Sequence, residues 1–231
     1  MKKTIVISGV GPNNLGEAIA RKLHSEYRVV ILARTEVNLR KIANELGCEF
    51  QVCDISNPDS VALAVKNITR SVERIDCLIN CAAARWVEGE LEQNTPEEII
   101  QTINTNVIGT LLFTRGVIPY MKKQKSGFII NINSQAGFYA KAGRSLYVAA
   151  KWAMTGFTKS LQQELESYGI RVVGMYPGRL SFSMVKKEGK TERTDAISLE
   201  GVAKTVQFVL SFEDGTTFPE IGIERIIPDK G

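Results

Sequence analysis

A single histidine, His24, is present in 231 residues, so a histidine-centred triad or metal site has little to be built from. The four cysteines, Cys48, Cys53, Cys77 and Cys81, show neither zinc-ribbon nor Cys-x-x-Cys spacing and read as buried, reduced thiols. No metal is expected. No apolar run approaches the roughly 20 residues of a membrane helix. Charge of one sign is also missing: 29 basic against 25 acidic residues leave +4, spread without tracts. That argues against a dedicated nucleic-acid surface and reads as solvated exterior. Met1-Lys2-Lys3 followed by Thr4 to Val10 imitates the start of a secretory signal. The apolar part is short and no small-residue cleavage site follows, so the segment reads as a first buried strand and the expected location is the cytoplasm.

The chain does have enough hydrophobic residues, 44% of the total, to fill one substantial core. Short β-branched runs alternate with longer stretches of helical period. The strand candidates are Thr4–Ser8, Val29–Leu32, Glu49–Val52, Cys77–Asn80, Gly127–Asn133, Arg171–Met175 and Ile221–Ile227. Helical stretches are expected near Leu15–Glu26, Glu36–Leu46, Pro58–Glu73, Pro96–Met121, Ser145–Tyr168 and Leu199–Phe212. This alternation predicts an α/β fold, a doubly wound parallel seven-stranded sheet with helices on both faces, in one domain over residues 1–231. Asn57-Pro58-Asp59 and Thr95-Pro96-Glu97-Glu98 each set a capping side chain before proline, with acids in the first turn, and so mark helix starts. The stretch from Gly178 to Ser198 has charges and two glycines but no sustained period; residues 179–197 read as a substrate lid.

The loop SGVGPNNLG, Ser8 to Gly16, follows the first strand and precedes a helix, where backbone N–H groups can face a pyrophosphate. Dinucleotide-binding turns usually carry a glycine in the middle; here Gly9, Gly11 and Gly16 flank Asn13 and Asn14. Asparagine tolerates left-handed backbone, so Asn13 or Asn14 stands where that glycine usually does. Gly9, Gly11, Asn13, Asn14, Leu15 and Gly16 are therefore candidate cofactor contacts. After the second strand, Ala33 occupies the place where an acid commonly accepts hydrogen bonds from a ribose 2′-hydroxyl, and Arg34 follows. An arginine there suits a 2′-phosphate and favours NADP(H) over NAD(H).

In SQAGFYAKAGRSLYVAAK, Ser134 precedes Tyr147 by thirteen residues and Lys151 follows it by four. On a helix the tyrosine and lysine share a face. An ammonium near a phenol lowers the phenol pKa from its reference of about 10, which suits proton exchange with a carbonyl or alcohol oxygen. With the glycine loop, Cys53-Asp54-Ile55, Asn80-Cys81-Ala82-Ala83, Asn106-Val107 and Pro177-Gly178 in the same order, the chain resembles the short-chain dehydrogenase/reductase family along nearly its whole length. Taken singly, each residue has a plainer reading as a cap, turn former or surface charge; together they have the family's spacing.

The resemblance implies a Rossmann fold and a set of roles. Tyr147 is implied as general acid/base, Ser134 as the group orienting the substrate oxygen, and Lys151 as the ligand of the nicotinamide ribose. Asn106 is implied to hold a water linking that lysine to solvent. Asp54, Ile55, Asn80, Ala82, Pro177 and Gly178, with Tyr147 and Lys151, are implied to meet the cofactor. The implied reaction interconverts a small-molecule carbonyl and a secondary alcohol. An enoyl-thioester reductase of the same superfamily is the alternative, although there six residues usually separate tyrosine and lysine, not the three found here. A non-catalytic dinucleotide sensor or scaffold is the other alternative, and both residues such proteins often lose are present.

Departures from the family pattern fall in three places. Ser181 or Ser183 takes the place of the threonine that often follows Pro-Gly. Asn80-Cys81-Ala82-Ala83 lacks the usual glycine. The C-terminus lacks the common Val-Asp-Gly-Gly, which weakens the usual tetramer contacts and makes a homodimer, through the helices beginning near Pro96 and Ser145, the expectation ahead of a homotetramer. Arg179, Lys186, Lys187, Lys190 and Arg193 in the lid either attract an anionic or carrier-bound substrate or are solvated charges. Trp86, Phe138, Tyr139 and Phe182 either line an apolar pocket or serve as core or dimer contacts.

Overall fold

In the computed structural model, which describes residues 2–84, 89–181 and 196–226, the apolar runs become seven parallel strands. These are β1 (Thr4–Ser8), β2 (Arg28–Ala33), β3 (Glu49–Val52), β4 (Cys77–Asn80), β5 (Gly127–Ile132), β6 (Ile170–Pro177) and, after a short parallel pair β7 (Leu180–Ser181) and β8 (Ile197–Ser198), β9 (Glu220–Ile223). Their order is β3-β2-β1-β4-β5-β6-β9, every neighbouring pair parallel. The chain leaves the sheet centre in opposite directions after β1 and β4, which opens a crevice at their carboxyl ends, where doubly wound sheets bind ligands.

The helices are α1 (Leu15–Leu23), α2 (Glu36–Leu46), α3 (Pro58–Ser71), α4 (Pro96–Ile103), α5 (Thr110–Gln124), α6 (Ser145–Glu166) and α7 (Leu199–Leu210). Strand side chains alternate between two cores. Ile5, Ile7, Ile79 and Ile130 pack with Ile19 of α1, Ile42 of α2 and Val206 of α7. Val6, Leu78 and Ile129 pack on the other face with Ile68 of α3, Phe113 of α5 and Leu161 of α6. Helix starts follow the capping signals: Asn57 Oδ1 accepts from the Ser60 N–H at 2.9 Å, and Thr95 and Glu98 exchange side-chain and backbone bonds as a capping box.

Two expectations need correction. The stretch Pro96–Met121 is not one α-helix: residues Asn104–Gly109 form a π-helical turn between α4 and α5. At its end Gly109 sits so close to Ile55 that a Cβ there would lie 2.7 Å from Ile55 Cγ1, and a widened turn is one way a helix accommodates such contacts. The last strand ends at Ile223 rather than Ile227, because its neighbour β6 stops at Pro177 and the Gly178 N–H makes the last cross-strand bond, to the Ile223 carbonyl at 2.9 Å; Ile227 lies outside the described residues. The expected lid begins and ends in ordered backbone, β7 and β8, held by the Ile197 N–H bonded to the Arg179 carbonyl at 2.8 Å. Residues 182–195 of that stretch, with Phe182, Ser183, Lys186, Lys187, Lys190 and Arg193, lie outside the described residues, as does Trp86.

Candidate active site

A cleft of about 1060 Å³ opens across the carboxyl ends of β1, β2, β4, β5 and β6. Its floor at the β1 end is the glycine loop. Gly9 has φ +77°, and a Cβ on it would lie 2.4 Å from Ala82 Cα, so the β1 turn and the end of β4 touch in a way only glycine permits. A Cβ on Gly16 would lie 2.8 Å from the Gly9 carbonyl oxygen.

Between these glycines the two asparagines divide the work. Asn13 takes φ 55°, the left-handed conformation asparagine tolerates, and its N–H donates to Glu17 Oε2 at 2.5 Å. Asn14 is extended and caps α1: its Oδ1 accepts from the Glu17 N–H at 2.9 Å, while its Nδ2 donates to the Gly9 carbonyl at 2.8 Å. The loop is thus closed on itself and presents the α1 N-terminus to the cleft. Gly9, Gly11, Asn14, Leu15 and Gly16 line the cleft. Asn13 does not; its side chain is exposed and its part is to turn the backbone.

Beyond β2 the lining consists of Ala33, Arg34, Thr35 and Asn38, with Asp54 and Ile55 opposite. The Asp54 carboxylate accepts from the Ser56 hydroxyl at 2.6 Å and the Ser56 N–H at 3.0 Å. The Ser56 hydroxyl bond is the main cause that holds its pKa below the usual aspartate value, and the nearby Arg34 charge adds to it.

At the other end of the cleft are Ala82, Ser134, Tyr147, Lys151, Pro177 and Gly178. Ser134 lies two residues past β5 and caps the short turn Gln135–Gly137, its Oγ accepting from the Ala136 N–H at 3.2 Å. Tyr147 lies in the first turn of α6 and Lys151 one turn later, 4% exposed. Burial raises the Tyr147 phenol, against which a hydrogen bond from Ser134 and the Arg144 charge pull it down. Arg144 stands just before α6, three residues ahead of Tyr147, and the Lys151 ammonium lies over the phenol ring from one turn later. Lys151 itself is brought down to about 8 by burial. Among the described residues its ammonium makes no hydrogen bond or ion pair, a donor set suited to ribose hydroxyls. With the glycine cradle and the uncharged Ala33, the residues fit a dinucleotide.

Two further candidates stand behind the cleft wall. Asn80, 4% exposed, donates from Nδ2 to Thr114 Oγ1 at 2.9 Å and to Asn131 Oδ1 at 2.8 Å, tying β4 to β5 and α5. Asn106, in the π-helical turn, donates to the Thr102 carbonyl at 2.9 Å and leaves its buried Oδ1 without a hydrogen bond; its neighbour Thr105 lines the cleft. The cysteines form no disulfide among themselves, Cys81 lining the cleft with its thiol pushed up to about 12 by burial. His24 caps the end of α1, away from the cleft.

The short chain dehydrogenase family profile matches residues 3–193. The chain belongs to the short-chain dehydrogenase family. Across 97% of both chains it is 28% identical to an uncharacterized oxidoreductase of Staphylococcus aureus. It is 30% identical to the 3-oxoacyl-[acyl-carrier-protein] reductase of Bos taurus, over 80% of this chain and 79% of that one. A metagenomic short-chain oxidoreductase crystallised in complex with NADP superposes with a TM-score of 0.83 at 29% identity, covering 97% of each chain. The protein is thus an oxidoreductase of this family with its seven-stranded fold.

Within this short-chain dehydrogenase, sequence reasoning missed Asn38, Gln135, Lys141 and Arg144 as cleft residues. Asn38 had a readable signal, lying four residues after Arg34 across a helix start. Arg144 had one too, standing three residues before Tyr147 at the start of α6. Gln135 had none, since its amide meets Glu224, a partner 89 residues away.

Proposed function

We propose that this short-chain dehydrogenase interconverts a carbonyl and a secondary alcohol, using NADP(H) in preference to NAD(H). The observation that carries the reading is the hydrogen bond from Ser134 to Tyr147 with buried Lys151 one turn on, all in the cleft that holds the glycine loop. A bound nicotinamide dinucleotide would supply or accept the hydride. Tyr147 gives its phenolic proton to the carbonyl oxygen in reduction and takes it back in oxidation, Ser134 holds that oxygen beside the phenol, and Lys151 holds the ribose hydroxyls. Asn106 orders a water behind Lys151. Gly9, Gly11, Asn14, Leu15 and Gly16 cradle the pyrophosphate with Asn13 shaping the turn, Arg34 pairs with the 2′-phosphate, and Asp54 and Ile55 flank the adenine. Ala82, Pro177 and Gly178 border the nicotinamide, with Asn80 supporting that edge.

The relatives support this reading. One is crystallised with NADP, and the bovine reductase is named for a 3-oxoacyl substrate, a carbonyl compound. In this reading residues 1–231 form one domain with 179–197 as its lid. The four unpaired cysteines suit a reducing cytoplasm. A homodimer forms through α4, α5, the π-helical turn between them and α6, whose Ile100, Leu111, Ile108 and Trp152 are exposed.

Titration with NADPH and separately NADH, followed by nicotinamide fluorescence, tests the cofactor. Reduction of ethyl acetoacetate and other small ketones tests the chemistry, with Tyr147→Phe lowering kcat by about 10²–10⁴-fold while NADPH affinity holds. Tight NADPH binding with no turnover of any carbonyl compound would favour the sensor reading instead.

A further inference from the structure

Ser134 and Tyr147 belong to different elements, the turn after β5 and the start of α6, so their hydrogen bond depends on how those two are held together. The holding residues are polar and buried. Asn133, 4% exposed, is anchored through its N–H to the Met175 carbonyl at 2.7 Å. Its Nδ2 reaches α6, donating to the Lys151 carbonyl at 3.1 Å and to Thr155 Oγ1 at 2.9 Å. Thr155 Oγ1 in turn lies 3.2 Å from the Gly137 carbonyl and 3.1 Å from that of Lys151, so its one proton is shared between the two carbonyls. The turn after Ser134 is therefore tied to the same helical turn that carries Lys151. The closeness is built into the sequence at Gly137, where a Cβ would lie 2.6 Å from Thr155 Oγ1 and 2.9 Å from Asn133 Nδ2. The Tyr176 hydroxyl adds a contact to Thr155 and Asn133 from β6.

We propose that Asn133 and Thr155 are positioning residues that hold Ser134 against Tyr147 and so set the proton-exchange geometry of the site. Packing alone defines such a gap loosely; hydrogen bonds weaken steeply with angle and therefore define it tightly. A 1 Å misplacement can cost about 10²-fold in rate. The inference rests on the carbonyl–alcohol reading for its kinetic part only. Because the Ser134 bond favours the phenolate, loosening it raises the phenol pKa. The charged or titratable groups that line the cleft with the phenol, among the described residues, are Arg34, Cys53, Asp54, Cys81, Tyr139, Lys141, Arg144, Lys151 and Arg179. None of them is altered by changes at Thr155 or Asn133.

The test is Thr155→Val, which removes the hydroxyl at nearly constant shape, beside Thr155→Ser, which restores it. Asn133→Ser is measured in parallel, so that failure of one variant to fold leaves the other to decide. The titration of Tyr147 is read as tyrosinate absorbance, each protein minus its Tyr147→Phe counterpart. Thr155→Val is expected to move the midpoint up by about half a pH unit, a threefold change in the ionisation constant. It is also expected to lower kcat for ethyl acetoacetate about tenfold, with NADPH affinity within about twofold of the parent; Thr155→Ser reverses both effects. A wild-type midpoint and kcat in Thr155→Val overturn the proposal, as does a loss of kcat matched by loss of NADPH affinity that Thr155→Ser leaves unrestored. If the parent enzyme reduces no carbonyl compound, the carbonyl–alcohol reading fails while the titration still decides the role of Thr155.

Discussion

The Lys151 ammonium lies 5.6 Å from the centroid of the Tyr147 ring, and the two side chains are one helical turn apart. Burial brings this lysine down to about 8. Between that value and the unfolded reference near 10.4 the unfolded chain binds more protons than the folded one, so stability should rise with pH across that window and be lowest below it. Lys151→Met removes the burden and should stabilise the cofactor-free protein at pH 7 by up to about 3 kcal/mol. Urea unfolding of both proteins at pH 7 and pH 9.5 checks this. The difference between them should shrink at the higher pH, and a variant less stable than the parent at pH 7 would contradict the assignment.

Arg34 is exposed at the lip of the cleft where no acid follows β2. Charge-assisted bonds of this kind contribute about 1.5–3 kcal/mol. Arg34→Ala should therefore weaken NADPH by roughly tenfold to a hundredfold and leave NADH within about a factor of two. Fluorescence titration with the two cofactors decides; equal weakening of both would remove Arg34 from the 2′-phosphate.

The asparagine loop predicts opposite responses at adjacent positions. Asn13 has a positive φ, so Asn13→Gly should be tolerated, whereas Asn13→Val should destabilise by about 1–2 kcal/mol. Asn14→Ala loses the α1 cap and the bond to Gly9, costing about 1 kcal/mol. Thermal melts rank the three, and tolerance of valine at position 13 would count against the left-handed turn.

The exposed apolar residues of α5 and α6 predict an assembly. Trp152→Glu, alone and with Leu111→Glu, should shift the protein from dimer to monomer in light scattering at micromolar concentration. The cofactor-free fold should stay unchanged by circular dichroism. A parent protein that is already monomeric would sink the dimer.

Much of the candidate site is legible in the sequence alone, and the reason is local. Strand periodicity, the proline-marked helix starts and the three-residue interval between Tyr147 and Lys151 are properties of neighbours along the chain, and they survive folding. Arg144 was legible in principle by its nearness to Tyr147 along the chain. Gln135 was not, because its partner Glu224 is distant in sequence. The helical stretch expected over Pro96–Met121 carries a π-helical turn at Asn104–Gly109, where Gly109 meets Ile55 from another element, a contact equally hidden in the sequence.

By itself, the sequence determined the alternation of strands and helices, the parallel sheet it implies, and which residue types stand at each strand end, because periodicity and capping act over a few residues. Only the tertiary structure decided that Asn13 turns the loop while Asn14 caps it, that Asn80 stands behind the cleft wall, and that Arg144 joins Tyr147 and Lys151 in lining the cleft. Those outcomes depend on burial and on contacts between residues far apart in the chain, which exist only once the layers have packed.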